Sequence, residues 1–209
     1  SPYHEIKIGI SYAPFTLVPR VLFEEDKAER YLSLSAEIAT TDTVLSNNVK
    51  AVYARNIFAL PANEERYLKE VFDHPKFYHI GSGLLELASR MKDQFTDQQL
   101  ILDIKPGVIH ILYFEKREFK FMNQYRYVNK EDFLYYVLLV AEQFMVDRNV
   151  CDLKLSGEIV PDSMLFGELW KFFKEISFLQ MNENIVLPDA MKEKPLYIYN
   201  TLLSLDLCE

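Results

Sequence analysis

The residues of this chain that could do chemistry lie in two short stretches, each at the end of an apolar run. Asp103 follows one such run and stands just before a Pro106-Gly107 turn. The second stretch, residues 156–158, reads Ser-Gly-Glu and follows a later apolar run. A carboxylate in the first position can accept hydrogen bonds from turn amides, and a glycine lets the backbone approach an anion closely. From the residues alone, Asp103 could equally be a strand-end acid bonded to the amides of its turn.

The histidines and cysteines give no sign of a catalytic or metal site. Cys151 and Cys208 have neither metal-ligand spacing nor a disulfide pattern. The histidines are not paired at metal-ligand spacing either; they are His4, His74, His79 and His110. A nucleophile with its base cannot be assembled from the order of residues alone. The sequence thus predicts no catalytic residue and no metal ligand.

The elements that hold the two stretches follow from the hydrophobic pattern of residues 99–163. Apolar residues on both sides of Pro106-Gly107 predict two antiparallel strands. A second hairpin turns at Lys116-Arg117 and leads into a third strand with alternating aromatic residues. A long helix follows, with Asn129 as its N-cap, and it is apolar on most sides, which predicts a sandwiched helix. A further strand completes the segment.

The flanking segments predict alternating strands and helices. The N-terminal part is expected to hold a strand and hairpin at residues 5–19, an acidic amphipathic helix from Leu22 to Leu34, and extended chain from Val44 to Leu60. A helix that begins at Pro61, a strand from Lys76 to Ile80 and another helix follow. The C-terminal part predicts a helix from Met164 to Ile176, with Trp170 as a core anchor.

In this order of elements the chain resembles the second half of an actin-like ATPase domain, and within that superfamily the actin-like proteins of type IV pilus assembly. It is also similar to a bacterial family of unknown function with a degenerate actin-like ATPase fold. Those proteins carry an Asp-x-Gly phosphate loop, then a three-strand meander and a helix, and later a Leu-(Ser/Thr)-Gly-Gly-x-Ser adenosine loop. The segment from Asp103 to Gly107 stands in the first place, and the segment from Leu155 to Ser163 in the second.

The resemblance implies an α/β fold, built as an actin-like ATPase fold of two ribonuclease-H-like lobes with mixed sheets. Residues 1–80 would form a first lobe that lacks its initial strands. Residues 81–98 would be a bridging helix, and residues 99–209 the second lobe.

The same resemblance implies vestigial nucleotide loops, with departures that weaken them. The positions concerned are Asp103, Lys105, Gly107, Ser156, Gly157 and Glu158. Lys105 replaces the phosphate-loop glycine, Pro106 removes a backbone N–H, and anionic Glu158 replaces the second adenosine-loop glycine. No cofactor and no ATPase activity are expected. The alternative is an ATPase with an atypical phosphate loop that binds Mg-ATP, in which Lys105 contacts phosphate as a point charge.

Composition indicates the kind of partner. The net charge of -8 argues against nucleic-acid binding, although basic residues and aromatics alternate around Lys116-Arg117. No apolar run of about 18 residues is present, so no membrane span is predicted. The resemblance instead implies another protein as the partner, leaves a homo-oligomer open, and places a non-catalytic assembly module in the cytoplasm.

Overall fold

The computed structural model describes residues 5–181 and 189–209. Contacts divide the chain into two compact units, Ser1–Leu87 with Thr201–Glu209, and Ala88–Asn200. The sequence predicts that residues 201–209 belong to the second lobe, but they pack in the first unit. A Cβ added at Gly83 would lie 2.5 Å from Ser204 Oγ, and Lys7 Nζ donates to the Cys208 carbonyl at 2.8 Å. These close contacts hold the tail in the first unit.

The first unit contains two small sheets. β1 (Lys7–Ile10) pairs in parallel with β5 (Lys76–His79). The other sheet is antiparallel in the order β2-β4-β3; its strands are β2 (Phe15–Pro19), β3 (Asp42–Val49) and β4 (Ala54–Pro61). The prediction of a strand and hairpin at residues 5–19 is therefore wrong, because β2 hydrogen-bonds to β4 and not to β1.

Three helices lie between or after these strands: α1 (Ala28–Ser33), α2 (Ala62–Val71) and α3 (Ile80–Arg90). The single helix predicted from residue 22 to 34 is wrong at its start, since only short 3-10 turns precede α1. Phe23 and Glu24 have extended backbone there. This conformation lets the Phe23 ring pack against Tyr31, 6.2 Å between ring centroids, and beneath the Arg55 guanidinium.

The second unit is built on a five-stranded mixed sheet with the order β10-β9-β6-β7-β8. Its strands are β6 (Gln98–Lys105), β7 (Val108–Glu115), β8 (Glu118–Arg126), β9 (Asp152–Gly157) and β10 (Glu175–Phe178). β6 and β9 are parallel, and β6, β7 and β8 form the predicted antiparallel meander. The predicted helix from residue 164 to 176 ends early, because the chain turns back after Trp170 and β10 pairs in parallel with β9.

The helices of the second unit are α4 (Lys130–Gln143) and α5 (Met164–Trp170), and the tail contains α6 (Asn200–Leu203). The predicted cap of α4 is confirmed, since Asn129 Oδ1 accepts from the Asp132 N–H at 2.8 Å. Asp132 in turn accepts from the Val128 N–H at 3.1 Å. The first bond satisfies a backbone donor that the first turn of a helix leaves unpaired, and the second ties the residue before the cap to that turn.

Two predictions about burial are corrected. α4 is not sandwiched: one side packs into the core, while the side chains of Tyr135 and Leu139 on the other side are 60% and 39% exposed. Trp170 is not a core anchor, since it is 58% exposed. Leu169 and Phe173 fill the core at this end of α5, so the adjacent Trp170 points outward and stacks on Phe166.

The core of the second unit lies between one face of its sheet and the helices α4 and α5. Strand alternation brings Leu100, Leu102 and Ile104 of β6 to this face, together with Leu153 and Leu155 of β9. In residues 5–181 and 189–209, no helix is long and apolar enough to cross a membrane.

Candidate functional site

The structure brings the two predicted stretches together at one end of the second unit's sheet. In the parallel pairing of β6 with β9, Asp103 lies opposite Ser156 and Ile104 opposite Gly157. The Glu158 N–H donates to the Ile104 carbonyl at 2.7 Å. The acid and the glycine loop are therefore direct neighbours across two adjacent strands.

The first stretch is a tight hairpin turn between β6 and β7. Lys105 pairs with Val108, so Pro106 and Gly107 are the two central residues. Gly107 has φ +76°, which fits the third position of a type II turn with proline before it. Tyr127 holds this turn from the end of β8, because its hydroxyl donates to the Lys105 carbonyl at 2.8 Å and its N–H to the Gly107 carbonyl at 3.1 Å. The contacts of this turn are those of a hairpin.

Gly157 is explained by close packing of the backbone. Its φ is +84°, and an added Cβ would lie 2.3 Å from the Ile104 carbonyl oxygen and 3.1 Å from Asp103 Oδ1. Only glycine fits there. Ser156 is also occupied, since its buried hydroxyl donates to the Tyr197 carbonyl at 3.3 Å and accepts from Asn200 Nδ2 at 3.1 Å.

Asp103 is the unusual residue of this site. Its side chain is 0% exposed, and within the described part of the chain neither carboxylate oxygen has a hydrogen-bond partner. Nδ1 of His110 lies 4.0 Å from Asp103 Oδ2, and that histidine is equally buried. Burial lowers the pKa of His110, and the negative charge of Asp103 partly opposes this shift.

A row of polar side chains crosses the sheet at this level. Ser156 of β9, Asp103 of β6, His110 of β7 and Gln124 of β8 are successive partners in the strand register. The sequence offered one signal for this row, namely a single polar residue inside each of two apolar runs, LILDI and VIHILYF. The signal could not be used without the register, because a shift of one residue would have placed the two side chains on opposite faces.

Another polar cluster, on β9 and β10, was not found from the sequence. Lys154 Nζ lies 2.6 Å from Asp152 Oδ2 and 3.1 Å from Ser177 Oγ, and Ser177 Oγ donates to Asp152 Oδ1 at 2.7 Å. A nucleophilic serine needs a neighbouring base that can take its proton. Here the lysine forms an ion pair with the aspartate, so the trio is a cross-strand polar contact. In the described ranges, no three His, Cys, Asp or Glu residues are placed to hold a metal ion.

Comparison with known proteins gives the family and the fold. A protein-family model described as "Protein of unknown function (DUF3822)" matches residues 1–176. No curated protein matches the chain. A crystal structure from Bacteroides thetaiotaomicron, described as a protein with actin-like ATPase fold and unknown function, superimposes with a TM-score of 0.81 at 24% identity, covering 99% of this chain and 75% of that one.

A more distant structure shares the fold. The PilM-PilN type IV pilus biogenesis complex superimposes with a TM-score of 0.58 at 9% identity, over 99% of this chain and 80% of that one. The predicted actin-like ATPase fold with mixed sheets is thus confirmed. Identities this low carry the fold and no activity.

Proposed function

Because this chain belongs to the DUF3822 family of proteins of unknown function, we propose from its site that it is a non-catalytic actin-like protein, acting as a protein-interaction or assembly module. The observation that carries the proposal is the state of the two loops. A phosphate loop works by directing free backbone N–H groups at the anion. Here the Glu158 N–H is bonded to Ile104, and Pro106 has none.

The charged side chains at the two loops also disfavour nucleotide binding. The Glu158 side chain is exposed beside the loop, where it would repel a polyphosphate. Asp103 is fully buried, so it could not reach a metal-bound nucleotide unless the strand end opened. Phosphoryl transfer depends mostly on preorganised electrostatic stabilisation of the transferred group, and these loops offer little of it.

A protein-binding role is supported by a structural neighbour that belongs to a protein complex and by the net charge of the chain. PilM, a structural neighbour, is part of a complex with PilN. The net charge of -8 disfavours nucleic acid as the partner. The proposal includes a cytoplasmic location, since Cys151 and Cys208 are both free thiols, as is usual in a reducing compartment.

Calorimetric titration with Mg-ATP tests the absence of nucleotide binding. We expect no saturable heat at millimolar nucleotide and no ATP turnover by the unaltered protein. A double variant, Lys105→Gly with Glu158→Gly, restores the glycine pattern of active relatives and serves as a comparison. Binding by the unaltered protein as strong as by this variant would contradict the proposal.

The second candidate is an ATPase with an atypical phosphate loop. The adjacency of Asp103 and Gly157 favours it, because the resemblance places the two nucleotide loops at these positions. Lys105 is only partly buried and could supply a positive charge. Saturable ATP turnover that is lost in Asp103→Ala, with the variant still folded, would establish this function in place of the first.

A further inference from the structure

We propose that the outer side of α4 is a docking surface for a basic amphipathic helix of a partner protein. This inference rests on the proposed interaction function and names its surface. The surface, called the outer stripe below, consists of Glu131, Tyr135, Leu139 and Glu142. These positions follow one another at intervals of four, four and three residues, so they share one side of the helix.

The outer stripe is apolar at its centre and open to solvent. The inner side of α4 is fully used, since Phe133, Val137 and Val140 are buried in the core. Tyr135 and Leu139 are 60% and 39% exposed, and they lie one turn apart. A helix that is apolar nearly all round is expected to be covered on both sides, and the described residues cover only one.

Tyr135 contacts the ring of Tyr136, which is itself stacked on the sheet. It packs edge-on against Tyr136, 5.3 Å between ring centroids, and Tyr136 stacks on Tyr125 of β8 at 4.6 Å. Tyrosine is among the residue types that most often dominate binding energy in protein interfaces.

The charges at the ends of the outer stripe indicate a basic partner. Glu131 and Glu142 bracket the apolar centre and are eleven positions apart, about 16 Å along a helix. Lys130 lies 3.8 Å from Glu131, but its closer contact, at 3.0 Å, is with Glu168. Glu142 is exposed, and the described residues provide no ion pair for it. With a net charge of -8 on the chain, a partner with two basic residues flanking an apolar centre is complementary.

The helix α2 provides a matched control. Tyr67 and Val71 have the same spacing as Tyr135 and Leu139 and are 63% and 54% exposed. Glu64 lies three residues before Tyr67, but the positions three and four residues after Val71 are His74 and Pro75, so acidic residues do not flank this pair at both ends. Exposed apolar area is thus similar on the two helices, while the bracket of two acids belongs to α4.

The probe is a synthetic amphipathic helical peptide of about 18 residues, with two lysines eleven positions apart and leucines between them on the same side. Binding is measured by fluorescence anisotropy at low and high salt. We expect saturable 1:1 binding that weakens at least about tenfold in the variant Tyr135→Ser with Leu139→Ser, and weakens also in Glu142→Gln. The control variant, Tyr67→Ser with Val71→Ser, should bind like the unaltered protein.

Several results would overturn the inference. These are no saturable binding to the unaltered protein, equal weakening in the α2 control, and equally strong binding of a peptide with glutamates in place of the lysines. A dimer in sedimentation that dissociates only in the α4 variant would assign the surface to a second copy instead. Failure here is separable from failure of the proposed function, because Mg-ATP titration reports on the loops at Asp103 and Gly157 alone.

Discussion

Replacing Gly157 by alanine separates a structural from a nucleotide-binding role for this residue. If the glycine serves only to admit a phosphate, the ligand-free protein should tolerate a methyl group. The structure indicates otherwise, because the new Cβ would lie 2.3 Å from the Ile104 carbonyl oxygen and 2.9 Å from the Ile104 nitrogen. Both are backbone atoms of the neighbouring strand, so they can move only if β6 and β9 separate locally.

The cost of Gly157→Ala has two parts. A left-handed backbone at φ +84° costs a residue with a Cβ about 1–2 kcal/mol. Separation of the strands also weakens the bond from the Glu158 N–H to the Ile104 carbonyl, which is worth about 0.5–1.5 kcal/mol. Together we expect the free energy of unfolding to fall by about 1.5–3.5 kcal/mol.

Urea unfolding without any nucleotide measures this change. Gly167→Ala is the matched control, since an added Cβ at that position of α5 meets nothing within 4 Å, and glycine to alanine in a helix stabilises by about 0.5–1 kcal/mol. If Gly157→Ala unfolds at the same urea concentration as the unaltered protein, the packing explanation for this glycine is refuted.

Three further results are expected from urea unfolding of variants. Burial lowers the pKa of His110, so below about pH 6.5 the unfolded chain binds a proton that the folded protein does not. The free energy of unfolding should therefore fall as the pH drops below that value, by at most about 1.4 kcal/mol per pH unit. His110→Gln should remove this part of the pH dependence. Asn47→Ala should lower the free energy of unfolding by about 2–4 kcal/mol, because the buried Asn47 amide donates to the Phe77 carbonyl and accepts from the His79 N–H of β5. Asn48→Ala should lower it far less, and equal losses in the two variants would contradict this explanation. Trp170→Ala should cost under about 1 kcal/mol and Leu169→Ala about 2–5 kcal/mol, and the reverse order would show that Trp170 stabilises the core after all.

The second unit was largely predictable from local signals. Proline and glycine at residues 106–107 define the first turn, the alternation that follows defines the strands, and Asn129 defines the start of α4. Each signal acts over a few residues, so it needs no knowledge of the rest of the chain. The neighbouring positions of Asp103 and Gly157 followed only from the family resemblance, since a parallel pairing brings together residues far apart in sequence.

The errors have long-range causes. β10 has only four residues, and the apolar pattern of the preceding helix continues into it without a break. Only its pairing with β9 shows that it is a strand. Trp170 was expected in the core because of its size, but Leu169 and Phe173 already fill that space. β1 and β2 are close in sequence yet belong to different sheets, and no local pattern determines which distant strand each one joins.

The path of the chain through the two units has a consequence for folding during synthesis. The second unit is one continuous segment, residues 88–200, whereas the first unit needs residues 201–209 as well. A ribosome makes the chain from its N-terminus, and domains generally fold as units once they are complete. The second unit is therefore complete before the first, even though it is made later. Until residues 201–209 are made and Ser204 packs against Gly83, the part of the first unit that they cover stays open to solvent.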